Sequence, residues 1–269
     1  MGPLRRSHPL STRARYTSPV YSRKVILVTG ASRGIGAATA RLAVDAGYSV
    51  VVNYREARAA AERVARDVIA RGGDAFAVQA DVSDEACVAR MFTRIDEQFG
   101  RLDALVNNAG IVDRKSRVDE MSGDRIARML AVNVTGSFLC AAHAVRRMSS
   151  KYGGHGGAIV NVSSGASRFG SPNEYVDYAA SKGAIDTFTI GLAKEVGGEG
   201  IRVNAVRPGV TYTDIHATTG EPGRVDRIAP RVPLKRGAQV DEIARSILWL
   251  LSDDASYVTG ALVDVTGGL

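Results

Sequence analysis

Between residues 24 and 46 an apolar run, a glycine-rich turn and an alanine-rich run follow one another, and that order constrains the fold more than any other stretch of the chain. Lys24–Thr29 (KVILVT) reads as a short buried strand, Gly30–Gly36 (GASRGIG) as the turn and Ala37–Ala46 as a helix. Glycines let the backbone come close to an anionic group, and a helix N-terminus supplies N–H donors and positive potential. A strand–turn–helix of this kind is therefore a cradle for a pyrophosphate. Its spacing is Gly-x-x-x-Gly-x-Gly, not Gly-x-Gly-x-x-Gly.

The alternation continues to the C-terminus. Strands are predicted at 49–53, 75–79, 103–106, 158–162, 202–206 and 261–265, with helices at 56–71, 84–99, within 121–150, and at 175–196 and 240–251. Strands and helices alternating at this spacing imply a parallel sheet covered on both faces, with ligands at the carboxyl ends of the strands. No shift in composition marks a second domain, so residues 24–269 are expected to form one domain.

The chemistry is carried by Tyr178-Ala-Ala-Ser-Lys182. A spacing of four puts both side chains on one helix face. An ammonium beside a phenol stabilises the phenolate. Bringing a phenol from its ordinary pKa to near neutrality takes roughly 4 kcal/mol, and a tuned tyrosine can exchange a proton with an alcohol or carbonyl oxygen.

Thr29–Gly36 (TGASRGIG), Asn107–Gly110 (NNAG), Asn133, Ser164, Tyr178 and Lys182, all in order, resemble the short-chain dehydrogenase/reductase family from about Lys24 to the C-terminus. Ser171–Lys194 and Ile215–Arg227 resemble its branch of glucose 1-dehydrogenase-like and uncharacterised oxidoreductases. The resemblance implies a Rossmann-type, doubly wound α/β fold with about seven strands. It implies hydride transfer between a nicotinamide cofactor and a small carbonyl or alcohol, with Asn133, Ser164, Tyr178 and Lys182 catalytic. Ser164 is expected to be the active hydroxyl and Ser163 is the alternative. Tyr175 is set aside, because position 179 is alanine. The cofactor is expected to meet Gly30, Ser32, Arg33, Gly34, Ile35 and Gly36, then Asn53, Tyr54 and Arg55 after the second strand. Further along, Asp81 and Val82 are expected against the adenine, with Asn108, Ala109 and Gly110, Tyr178 and Lys182, and Pro208, Gly209, Val210 and Thr213 completing the site. Asn107 is expected to tie strands together.

An acid at the end of the second strand would hold the ribose hydroxyls and repel a 2′-phosphate. This chain has Asn53-Tyr54-Arg55 there and Arg33 in the turn. Two guanidinium groups favour a 2′-phosphate, so NADP(H) is expected over NAD(H). Two other readings stay open, an acyl-carrier-protein-linked 3-oxoacyl reductase and a non-catalytic NADP-binding regulator. The first would need a basic docking surface, for which Arg128, Arg146 and Arg147 are the candidates. Thr211–Pro233, with Tyr212, His216 and Arg224, Arg227 and Arg231, is expected to cover the substrate, its arginines either meeting an anionic substrate or, the preferred reading, forming solvated surface.

The net charge of +7 does not point to nucleic acid. Arg5, Arg6, Arg13, Arg15, Arg23 and Lys24 fall in the acid-free first 24 residues and leave the remainder near neutral. Residues 1–23, with three prolines, read as a disordered basic extension. No apolar run approaches the ~20 residues of a membrane span. Two cysteines and four scattered histidines offer no metal-ligand pattern, and the cysteine usage suits a reducing, cytoplasmic setting. A homo-oligomer is expected by resemblance, a tetramer or dimer built on the two long helices and the C-terminal strand region; the apolar run Ile247–Leu251 and the ending Val265–Leu269 fit such an interface and equally an ordinary core.

Overall fold

The computed structural model describes residues 23–215 and 219–269. The basic extension (Arg23 apart) and His216 lie outside these residues. Seven strands form one sheet in the order β3-β2-β1-β4-β5-β6-β7, every neighbouring pair parallel. They are β1 (Lys24–Val28), β2 (Tyr48–Tyr54), β3 (Ala75–Gln79), β4 (Ala104–Asn107), β5 (Gly157–Val162), β6 (Ile201–Pro208) and β7 (Leu262–Val265). The order reverses between β1 and β4, and in open parallel sheets ligands bind in the crevice at such a point.

Both sheet faces are covered. One apolar layer joins β1 and β2 to α1 (Gly34–Ala43), α2 (Arg58–Ala70) and the C-terminal helix Val240–Leu251. The other packs Leu27, Leu105 and Ile159 against α3 (Glu85–Phe99), α5 (Gly136–Met148) and α7 (Val176–Val196). The inner strands β1, β2, β4, β5 and β6 are buried on both faces, which is why they read as apolar runs rather than alternating ones. Asp84 caps α3 by accepting a hydrogen bond from the Cys87 N–H at 2.8 Å, and Gly100, with φ of +68°, ends it.

Three expectations are corrected. The first helix begins at Gly34 and ends at Ala43, because the two glycines taken for turn residues form its first turn. The helix predicted within 121–150 is α4 (Gly123–Leu130) running through a π-helical turn, Ala131–Thr135, into α5. By length and composition Gly123–Met148 could cross a membrane, contrary to the expectation that nothing approaches a span. Here Met129, Cys140, Ala144 and Met148 are buried in the protein. The run Ile247–Leu251 belongs mainly to the core, with only Trp249 of its five residues clearly exposed. The large exposed apolar side chains of the long helices include Phe138 on α5 and Ile190 on α7, and Phe138 stacks on Phe188 at 3.8 Å between ring centroids.

Candidate active site

A cleft of about 610 Å³ opens at the carboxyl ends of the strands. At its β1 end the turn is held by side chains. The Gly30 N–H donates to Asn53 Oδ1 at 3.1 Å, and Asn53 Nδ2 donates to the Ala80 carbonyl at 3.1 Å. Asn108 Nδ2 donates to the carbonyls of Thr29 and Gly30, and the Thr29 hydroxyl accepts from the N–H groups of Asn108 and Ala109. Asn53 thus lines the cleft with its amide committed to the scaffold, and it leaves no acid there.

The turn is built to receive an anion. Arg33 at the N-cap of α1 makes no side-chain cap, and no acid sits in the first turn, so the leading N–H groups of the helix are unmet from within it. A Cβ on Gly36 would lie 2.4 Å from Asn108 Nδ2 and 2.8 Å from the Gly30 carbonyl oxygen. A Cβ on Gly30, where φ is +61°, would lie 2.9 Å from Ala109 Cα. Thr213 approaches Gly34 from the opposite wall, and its hydroxyl is buried without a hydrogen-bond partner. Free backbone donors and an unpaired hydroxyl fit a bound pyrophosphate, and the two glycines let the turn pack closely on Asn108 and Ala109.

Farther along, Ser32, Ile35, Tyr54, Val82, Gly110, Pro208, Gly209 and Val210 line the same cleft. Asp81 also lines it, but its carboxylate accepts from the N–H and hydroxyl of Ser83 at 2.9 and 2.6 Å. Arg33 is exposed. Arg55 pairs with Glu56 at 2.6 Å.

The four residues expected to be catalytic converge where β4, β5, α7 and the π-turn meet. Asn133 is fully buried in the π-turn. It receives the Ile111 N–H at 2.8 Å and donates to the Ile111 carbonyl at 3.0 Å and to Ser181 Oγ at 3.0 Å. Lys182 Nζ donates to the Val162 carbonyl at 2.8 Å and lies 5.7 Å from the Tyr178 ring centroid. A Cβ on Gly110 would lie 3.4 Å from Asn133 Oδ1 and 3.5 Å from Lys182 Nζ, so this glycine faces both. Of the two serines, Ser163 is buried with its hydroxyl committed to the Lys182 carbonyl at 3.2 Å, whereas Ser164 is hydrogen-bonded to Tyr178. Asn107 lies behind them, its Nδ2 donating to Asn161 Oδ1 at 2.9 Å and to the Ser137 carbonyl.

The electrostatics differ from the expectation. Burial pushes the Tyr178 phenol above its ordinary value, while the Ser164 hydrogen bond and the Arg224 charge act downward. Burial lowers Lys182 to about 8, and Asp186, one turn along α7, acts the other way. The lysine rather than the tyrosine is the group brought toward neutrality, because the ammonium is the charged form that desolvation disfavours.

Two residues that the sequence reading set aside belong to the cleft. Tyr175, set aside on spacing, is buried against the cleft, and Arg224, read as surface, lines it with a side chain only 15% exposed. Among the described residues no group of three or more His, Cys, Asp or Glu could hold a metal ion. Cys87 and Cys140 are free thiols.

A family model described as enoyl-(acyl carrier protein) reductase matches residues 30–269. The chain is 58% identical over 244 residues to the uncharacterized oxidoreductase YgfF of Escherichia coli K12, covering 91% of this chain and 99% of that protein. A 3-ketoacyl-(acyl-carrier-protein) reductase from Brucella melitensis, solved with NADH, superposes with a TM-score of 0.84 at 33% identity, covering 91% of this chain and 97% of that one. A short-chain dehydrogenase from Burkholderia cenocepacia J2315, solved with NADP, gives 0.83 at 34% identity, with the same coverage. With the sheet order and the cleft, these matches define the class: the chain belongs to the short-chain dehydrogenase/reductase family of oxidoreductases.

Proposed function

We propose that this chain interconverts a carbonyl and an alcohol on a small molecule, using NADP(H). The observation that carries the reading is the convergence of Ser164, Tyr178 and Lys182 in a cleft continuous with the glycine turn. Bound there, the dinucleotide supplies or accepts the hydride. The Gly30–Gly36 turn and Thr213 hold its pyrophosphate. Ser164 and Tyr178 hydrogen-bond the substrate oxygen and stabilise the charge that builds on it. Tyr178 donates the proton in reduction and takes it in oxidation. Lys182 stabilises the tyrosinate by its charge, and the buried Asn133 positions the backbone at Ile111 and the Ser181 hydroxyl beside α7.

The choice of NADP(H) rests on Arg33 and Arg55 at the adenosine end and on the absence of an acid at Asn53. A structural relative solved with NADP supports it, and one solved with NADH leaves the preference to experiment. The expected result is a higher kcat/KM with NADPH than with NADH. Arg33→Ala with Arg55→Ala should cost NADPH about 10- to 100-fold, the scale of charge-assisted hydrogen bonds, and leave NADH nearly unchanged. A wild-type preference for NADH would overturn the assignment.

The acyl-carrier reading is favoured by the Brucella relative's name but not by the surface proposed for docking. Arg128 pairs with Asp113, and Arg147 pairs with Asp96. Arg128 and Arg146 lie 18 residues apart along one helical run, about 27 Å at 1.5 Å per residue. They form no common patch.

We also propose that the α5–α7 face around Phe138 and Ile190 is a homo-oligomer interface, since exposed aromatic area of this kind needs cover. Phe138→Glu should reduce the sedimenting mass, and a wild-type monomer at working concentration would refute the interface.

A further inference from the structure

The substrate end of the cleft holds polar groups that the carbonyl chemistry leaves unused. Tyr175 is 3% exposed and lines the cleft, yet its hydroxyl has no hydrogen-bond partner. A buried hydroxyl without a partner is costly, and on a residue that lines a cleft it calls for a ligand. The Arg224 guanidinium lies over the Tyr175 ring at 4.8 Å and lines the same wall. Arg224 Nη1 is 2.7 Å from Glu174 Oε2 and 3.5 Å from Glu221 Oε2, ion pairs outside hydrogen-bonding geometry.

The charge count around it is uneven. Lys115 joins Glu174 and Glu221 at 3.3 and 2.6 Å, and Arg227 joins them at 3.2 and 2.5 Å. Three cations therefore meet two carboxylates, and of these five groups Arg224 and its partner Glu174 are the ones on the cleft wall. One singly charged acceptor would neutralise the cluster and satisfy the Tyr175 hydroxyl. A phosphate dianion would leave the cluster negative.

Resting on the carbonyl–alcohol reading above, we infer that Tyr175 and Arg224 recognise a carboxylate, so that the physiological substrate is an oxo acid or hydroxy acid whose carboxylate lies away from the reacting carbon. The neutral cluster that results when the acid binds makes charge, more than size, the basis of selection.

The test compares oxo carboxylates of five to eight carbons with their methyl esters, with NADPH in excess. Wild-type kcat/KM should favour the acids at least tenfold. Arg224→Gln should abolish that ratio mainly through KM, Arg224→Lys should restore part of it, and Tyr175→Phe should lower it several-fold. Arg227→Gln, which removes the surplus charge from the exposed side but leaves Arg224 on the cleft wall, should lower the ratio without abolishing it. Acid and ester turned over equally by the wild type would overturn the inference and leave carbonyl reduction standing. A second arm does not depend on turnover: calorimetric titration with cyclohexanecarboxylate and with its amide. Tighter binding of the carboxylate by the wild type but not by Arg224→Gln would support the site even if no carbonyl were reduced, and equal binding of both would refute it.

Discussion

Tyr178→Phe is expected to lower carbonyl turnover by about 10²- to 10⁴-fold, the range of general acid catalysis, with NADPH affinity essentially kept. Phenylalanine retains the ring that lies 5.7 Å from Lys182 Nζ and removes the hydroxyl bonded to Ser164. The loss should appear in kcat, because the donated proton matters when charge forms on the substrate oxygen. Turnover within tenfold of wild type would take Tyr178 out of this role. The pH profile adds a sign. Burial keeps the phenol protonated above its ordinary range, so it does not set the alkaline limb. Lys182, lowered to about 8, does so. As pH rises through that value the ammonium is lost, the tyrosinate loses its counter-charge, and kcat/KM for reduction should fall. A profile flat to about pH 10, near the ordinary lysine value, would exclude this assignment.

Gly36→Ala is the second large effect. The added methyl would sit 2.4 Å from Asn108 Nδ2, itself bonded to the Thr29 and Gly30 carbonyls, and 2.8 Å from the Gly30 oxygen. Backbone on one side and a committed amide on the other leave nothing that moves cheaply. Overpacking of this kind costs about 1–3 kcal/mol, which in a protein of this size lowers Tm by roughly 2–4 °C per kcal/mol. The same shift lifts α1 from the turn, so NADPH affinity should fall tenfold or more. Gly123→Ala at the start of α4, where no atom lies within 4 Å, should do neither. A Gly36→Ala protein with wild-type Tm and NADPH affinity would show that the turn tolerates a side chain.

The parallel sheet, its strand positions and the cradle were legible in the chain because they depend on local rules: apolar runs for strands buried on both faces, glycine where the backbone must come close, and a spacing of four for Tyr178 and Lys182. The choice of Ser164 over Ser163 came from resemblance and not from a local rule, since both follow the end of β5 and only packing against α7 commits the Ser163 hydroxyl to the Lys182 carbonyl and leaves Ser164 beside Tyr178. Tyr175 and Arg224 were passed over for the same reason. Spacing removed the first and composition classed the second as surface, yet the fold stacks one on the other beside the cleft. Local pattern alone determined the elements and the anion cradle. Burial, and with it the state of Lys182, the selected serine and the charge at the substrate end, depends on segments far apart in the chain, and only the tertiary structure brings those together.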